Sequence, residues 1–220
     1  MTKPRISIVG TGPGSPDYVT PAARKIVQKA DVVIGAQRSL GIFQNNICGE
    51  SVTLTAKNLN EVLQLASESA QKGKTVVLLS TGDPGFSGLL RSFLNSTTTQ
   101  DFEIDVIPGI SSIQVCAARL GLCWDDISLF TFHDTATAEK KAQLIQMAKT
   151  GRTVILFPNP KTFNPKDIAS FLLENGLSKN TTVFICENLT LPEEKVIETT
   201  LQDASKQDFA SLCVMVIKAA

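Results

Sequence analysis

The chain has 220 residues, 43% of them hydrophobic, and its 21 Lys and Arg balance 21 Asp and Glu beside a single His. Zero net charge argues against a nucleic-acid partner held by phosphate neutralisation, and one imidazole excludes multi-His metal sites. The length allows one large domain or two small ones, with ample apolar content for a packed core.

The five Cys (Cys48, Cys116, Cys123, Cys186, Cys213) are odd in number, and no two stand at CxxC spacing. They fit a reduced, cytoplasmic compartment and leave no zinc set, so no metal is expected. Met1–Arg5 leads directly into an apolar run too short for a secretory leader. No segment approaches the roughly 20 apolar residues that span a membrane.

In chain order, Ile6–Val9 reads as a strand and Gly10–Asp17 as a turn-rich loop. Thr20-Pro21 opens a helix, Thr as N-cap and Pro at the first position. Asp31–Gly35 and Ser51–Leu54 are short strands. Asn58, with Glu61 three residues on, predicts a capping box for a helix to about Lys72, closed by Gly73. Thr75–Leu79 is an all-apolar strand, the kind buried on both faces of a parallel sheet. Phe86–Leu94 reads as helix, Asn95–Gln100 as a polar surface loop, Phe102–Ile107 as strand and Ser111–Leu120 as helix. This βαβα order predicts an open parallel sheet, which binds ligands at the carboxyl ends of its strands.

The second half alternates less regularly. Strands are expected at Ile127–Phe132, Thr153–Phe157 and Thr181–Cys186, with helices at Ala138–Lys149 and Pro165–Asn175. Lys195–Thr200 and Leu212–Lys218 add strands around a short helix at Leu201–Lys206, which predicts a mixed sheet. The expected fold is α/β with two α/β domains, residues 1–122 and 123–220, the boundary falling near Leu122–Asp126.

Three Gly/Pro loops each follow a buried-looking strand: Gly10–Gly14 (GTGPG), Thr81–Gly85 (TGDPG) and Pro108–Ser112 (PGISS). All three should leave one edge of the sheet as a ligand-facing rim. The first imitates a dinucleotide fingerprint but has Ser15 where GxGxxG needs its last Gly, and Pro13 interrupts the turn. Its candidate acid, Asp31, precedes the second strand instead of ending it. Asp83 has two readings, a ligand-facing carboxylate or an Asx turn. Ser111 and Ser112 stand at a helix start, where one is expected to cap and the other could meet a ligand.

The three loops in this order resemble the tetrapyrrole methylase family, over the whole chain. Gly10–Thr20, Gly82-Asp83-Pro84 and Pro108–Ser112 carry the resemblance. The segments Pro108–Gln114, Ala118–Leu122, Trp124–Asp126, Cys186–Thr190 and Pro192–Glu194 resemble the branch that methylates C5 of precorrin-6Y or cobalt-precorrin-7. Asp134 stands where that branch often has Gly, and Ser87 where an aromatic often follows the GDP loop. The family's alternatives are another ring position, C11 or C17; a binding module without chemistry is the alternative from another class.

The resemblance implies a kinked two-domain homodimer with S-adenosylmethionine held in the interdomain cleft, largely by backbone. Carried over position by position, the cofactor contacts are Gly82, Asp83, Ser111, Ser112, Phe157 and Asn188. Pro13 is expected to face the tetrapyrrole, and Arg38, Arg91 and Arg119 are candidates for its carboxylates. His133 is the candidate proton acceptor, its bland alternative being a structural hydrogen-bonder. The chain ends at Ala220 without the C15-methylating, decarboxylating domain fused in some relatives, so a separate C15 partner is expected. No nucleic acid or membrane is expected among its partners.

Overall fold

The computed structural model describes residues 3–96 and 102–219. The chain divides into two units, Met1–Ser111 and Ser112–Ala220.

The first unit is a five-stranded sheet of β1 (Arg5–Gly10), β2 (Val32–Gly35), β3 (Glu50–Thr53), β4 (Val76–Ser80) and β5 (Glu103–Ile107). Their order is β3-β2-β4-β1-β5 and every pairing is parallel. Alternation explains how the apolar runs cover both faces. Ile6, Ile8, Val76 and Leu78 pack with Val62, Leu63 and Ala66 of α3 (Leu59–Gln71). Val9, Val77 and Leu79 pack on the other face with Ala23 and Val27 of α1 (Pro21–Gln28).

Thr20 caps α1 as expected, its Oγ1 accepting the Ala23 N–H at 3.1 Å. The capping box at Asn58 does not form. Its Oδ1 accepts instead from the N–H and hydroxyl of Thr55, at 2.7 and 2.9 Å, and its amide donates to the Thr53 carbonyl. The side chain thus closes the preceding turn. A helix that the sequence reading left out, α2 (Gln37–Ile42), lacks a side-chain cap and contains Gly41. The helix α4 spans Leu89–Ser96 and so begins later than Phe86. Ser87 has φ +59°, and the Ser80 hydroxyl receives the Leu89 N–H at 3.1 Å, which sets the start. Asn95 and Ser96 therefore belong to a helix, and the rest of the expected polar loop lies outside the described residues.

The second unit opens with α5 (Ser112–Arg119), which packs on the strand β10 (Cys213–Ile217). That packing carries Ser112–Leu122 into this unit, so the division falls before the expected boundary. The mixed sheet is β6 (Ile127–Thr131), β7 (Thr153–Phe157), β10, β8 (Thr182–Glu187) and β9 (Lys195–Thr200), in that order. Only β6 and β7 are parallel. The core joins Phe130, Leu156, Ile185 and Met215 to Leu144 of α6 (Ala138–Lys149) and Ile168 of α7 (Pro165–Glu174). A short α8 (Leu201–Ala204) completes it.

At the start of α7 a capping box does form: Asn164 accepts the Asp167 N–H and Asp167 accepts the Asn164 N–H, both at 3.1 Å. Asn164→Ala is expected to lower stability by about 1 kcal/mol, read by urea denaturation. Among the described residues no helix is long and apolar enough to cross a membrane.

Candidate active site

Register brings the three loops of the first unit to one level. Val9 lies beside Leu79 on one side and Ile107 on the other, and Gly10 beside Ser80. The GTGPG, TGDPG and PGISS loops therefore leave adjacent strands at the same edge. They are also tied together. The Thr11 N–H donates to the Ser80 carbonyl at 2.9 Å, and the Gly82 N–H to the Gly12 carbonyl at 2.8 Å.

Glycine is required for this closeness. A Cβ on Gly10 would stand 2.5 Å from the Gly109 Cα and 2.7 Å from the Gly82 carbonyl oxygen. One on Gly109 would run into that same oxygen and lie 2.7 Å from the Gly10 Cα. Gly12 and Gly82 hold φ of +78° and +69°, a region costly to other residues. The rim is thus main chain packed on main chain.

Asp83 joins the second and third loops. Its carboxylate accepts the Gly85 N–H at 2.8 Å and the Gly109 N–H at 3.1 Å. The Asx turn is present, and the bond to Gly109 extends it into a clamp between loops. Ser111 is buried, and Ser112 is the first residue of α5. Pro13, expected to face the substrate, is buried too. The Thr11 hydroxyl is buried without a hydrogen-bond partner. A packed main-chain cradle with one unsatisfied hydroxyl suits a ligand recognised by shape and backbone contacts.

Asp31 stands at the other end of the sheet. Its carboxylate accepts the Thr75 N–H at 2.8 Å and the Thr75 hydroxyl at 2.7 Å. These bonds hold its carboxyl below the usual carboxylate range. The dinucleotide reading thereby loses its acidic residue.

In the second unit, β6, β7 and β8 end at the edge where the antiparallel β10 begins, Cys213 pairing with Glu187. Phe157 and Asn188 both lie there, partly buried. Asn188 has φ +50°, and its N–H donates to the Leu212 carbonyl at 2.9 Å. His133, exposed, follows β6, and its N–H donates to the Thr131 hydroxyl at 3.1 Å. Asn159, which sequence reasoning missed, fixes this edge. Its amide donates to the Phe132 and His133 carbonyls at 3.3 and 3.1 Å. Its carbonyl accepts the Lys161 and Thr162 N–H groups at 3.0 and 3.1 Å. The only sequence signal was its place between two prolines after a strand. Asn159→Ala is expected to cost about 2 kcal/mol, because it strands buried groups, measured by denaturant unfolding.

The three arginines stand on three different helices. Arg38 is exposed on α2 and Arg91 is exposed on α4. Arg119 was offered to substrate carboxylates, but the structure spends its guanidinium on Glu194, with Nε at 2.6 Å. The same Glu194 accepts the Thr190 N–H at 2.6 Å. Arg119 first, and Thr190 as well, hold the Glu194 carboxyl below its usual range. A depressed carboxylate contributes stability above its unfolded pKa and loses it as pH falls through the folded value. This network is therefore expected to stay intact to below the ordinary glutamate range and then release, followed by NMR titration of the Glu194 carboxyl carbon.

Cys116 and Cys213 are held towards their neutral thiol form. Cys116 donates to Cys186 across 3.5 Å, and this bond together with burial pushes the Cys116 thiol up. Burial first, then the Glu187 charge, pushes the Cys213 thiol up to about 12. The rim of the first unit likewise holds no free acid or base: Asp83 is engaged, and hydroxyls and main chain make up the rest. Such an arrangement suits a reactant that brings its own reactivity.

Residues 5–205 match the family Tetrapyrrole (Corrin/Porphyrin) Methylases, and the chain belongs to that family. It is 39% identical over 211 residues to a probable cobalt-precorrin-7 C(5)-methyltransferase of Methanocaldococcus jannaschii, covering 96% of each chain. It is 27% identical to the cobalt-precorrin-7 C(5)-methyltransferase of Salmonella typhimurium, covering 87% of this chain and 88% of that one. A precorrin-6Y methylase of cobalamin biosynthesis from Archaeoglobus fulgidus shares the fold, with TM-score 0.77, 24% identity and 98% of each chain covered.

Proposed function

We propose that the chain is an S-adenosylmethionine-dependent C-methyltransferase of corrinoid synthesis, acting at C5 of cobalt-precorrin-7 or precorrin-6Y. The observation that carries the reading is the level, glycine-packed rim of three loops, in a chain similar over nearly its full length to a C5 enzyme.

The donor, when bound, supplies an electrophilic methyl group on a sulfonium. The residues then need to orient and shield the reactants more than to supply strong acid or base. Gly82, Asp83 and Ser111 are the proposed donor contacts in the first unit, and Ser112, Phe157 and Asn188 those in the second. Asp83 acts chiefly by holding the second loop to the third. Arg38 and Arg91, exposed, are the proposed contacts for substrate carboxylates. His133 is the proposed acceptor of the proton that leaves C5, its main chain set by Asn159 and Thr131. Assembly as a homodimer, within the cytoplasm, is part of the same reading.

Incubation with methyl-labelled S-adenosylmethionine and a cobalt-precorrin pool is expected to label a corrinoid at C5, located by mass spectrometry with positional analysis. No label in any corrinoid would overturn the reading. Label at C11 or C17 would keep the methyl transfer and reject the position.

A further inference from the structure

The turn after β8 carries two residues other than glycine in the left-handed region, Asn188 at φ +50° and Thr190 at +69°. Asn tolerates that region, but a β-branched residue there is strained. Neighbouring bonds close the turn: the Leu191 N–H donates to the Asn188 carbonyl at 2.9 Å and the Glu194 N–H to the Leu191 carbonyl at 3.0 Å. A side chain adds to this support. Glu194 takes the Thr190 N–H on one oxygen at 2.6 Å, while Arg119 approaches both oxygens, Nε at 2.6 Å and a terminal nitrogen at 3.4 Å. Glu194 is mostly covered, with its side chain 22% exposed, so the bonds are less screened than a surface pair.

We infer that Arg119 and Glu194 are positioning residues, a brace that holds the Asn188–Thr190 turn in its strained form and so presents Asn188 to the methyl donor. This deepens the function proposed above and rests on it. A carboxylate with two charge-assisted partners is the appropriate device, because it grips a backbone N–H and is itself held by a fork fixed to the end of α5. Removing the grip lets Thr190 relax to negative φ, and Asn188 moves with it.

The test is calorimetric binding of S-adenosylhomocysteine to the full chain. Glu194→Gln and Arg119→Lys are each expected to weaken binding on the order of tenfold, the size of one lost charge-assisted bond. In turnover the donor KM rises while kcat at saturating donor stays within about twofold, a split that general loss of structure would not give. Glu103→Gln, which breaks the exposed pair with Arg5 at the far end of β1, leaves the Kd unchanged. Unchanged Kd in both brace variants, with the unaltered protein binding, would overturn the brace alone. No binding by the unaltered protein would overturn the donor site and the brace together. If Glu194→Gln does not fold, Arg119→Lys keeps the charge and carries the test.

Discussion

Gly109→Ala is expected to abolish donor binding and to destabilise the first unit by about 3 kcal/mol or more, above the usual cost of overpacking. The added carbon would collide with the Gly82 carbonyl oxygen and press the Gly10 Cα at 2.7 Å. Both obstacles are backbone, and both sit at the ends of buried strands whose register is held by neighbours on either side. No rotamer change relieves them. The third loop must lift away, which strains the Asp83 bond to Gly109 as well. Gly41→Ala is the matched control. A Cβ there meets nothing within 4 Å, and it lies in α2, so alanine is expected to be neutral or to stabilise by about 0.5 kcal/mol. Thermal melting with calorimetric titration separates the two variants.

Asp83→Ala is expected to cost about 3 kcal/mol, the sum of two hydrogen bonds to a charged acceptor, and to weaken donor binding on the order of a hundredfold. The two effects have one cause. Without the carboxylate, the Gly85 and Gly109 N–H groups lose their acceptor, and the second and third loops lose their shared bond. Asp83→Asn keeps one acceptor oxygen and is expected to fall between. Equal affinity in Asp83→Ala and the unaltered protein would show that the clamp has no part in binding.

The three loops were legible because strand, glycine and proline speak locally. An all-apolar run such as Thr75–Leu79 followed by TGDPG announces a buried strand and a tight turn within ten residues. The common edge followed from the βαβα order. What stayed hidden depends on distance. Asn58 has the spacing of a capping box, yet its side chain chose Thr55 and Thr53, a competition that sequence alone does not decide. Phe86–Gly88 reads as helix until the Ser80 hydroxyl claims the Leu89 N–H. Arg119 looked like a carboxylate binder, and it is one, but its carboxylate is Glu194 of its own chain. Asn159 is a polar residue between prolines until the fold brings the two carbonyls just past β6 to its amide. The residue types announced the chemistry, and the pairing partners needed the fold.

The placement of β1 between β4 and β5 has a consequence for how the protein is made. Arg5 and Glu103, 98 residues apart, pair across the first sheet, and the loops that follow those strands meet at Gly10 and Gly109. Closing so long a span is entropically expensive and is expected to come late, because little is gained until the ends meet. The rim is where the first and last strands of the unit join, so a chain released or cleaved before β5 has half a cradle and no Gly109 to pack on Gly10. Ligand binding at this rim would therefore report that synthesis and folding of the first unit are complete, and a bound ligand would hold together the seam between its first and last strands.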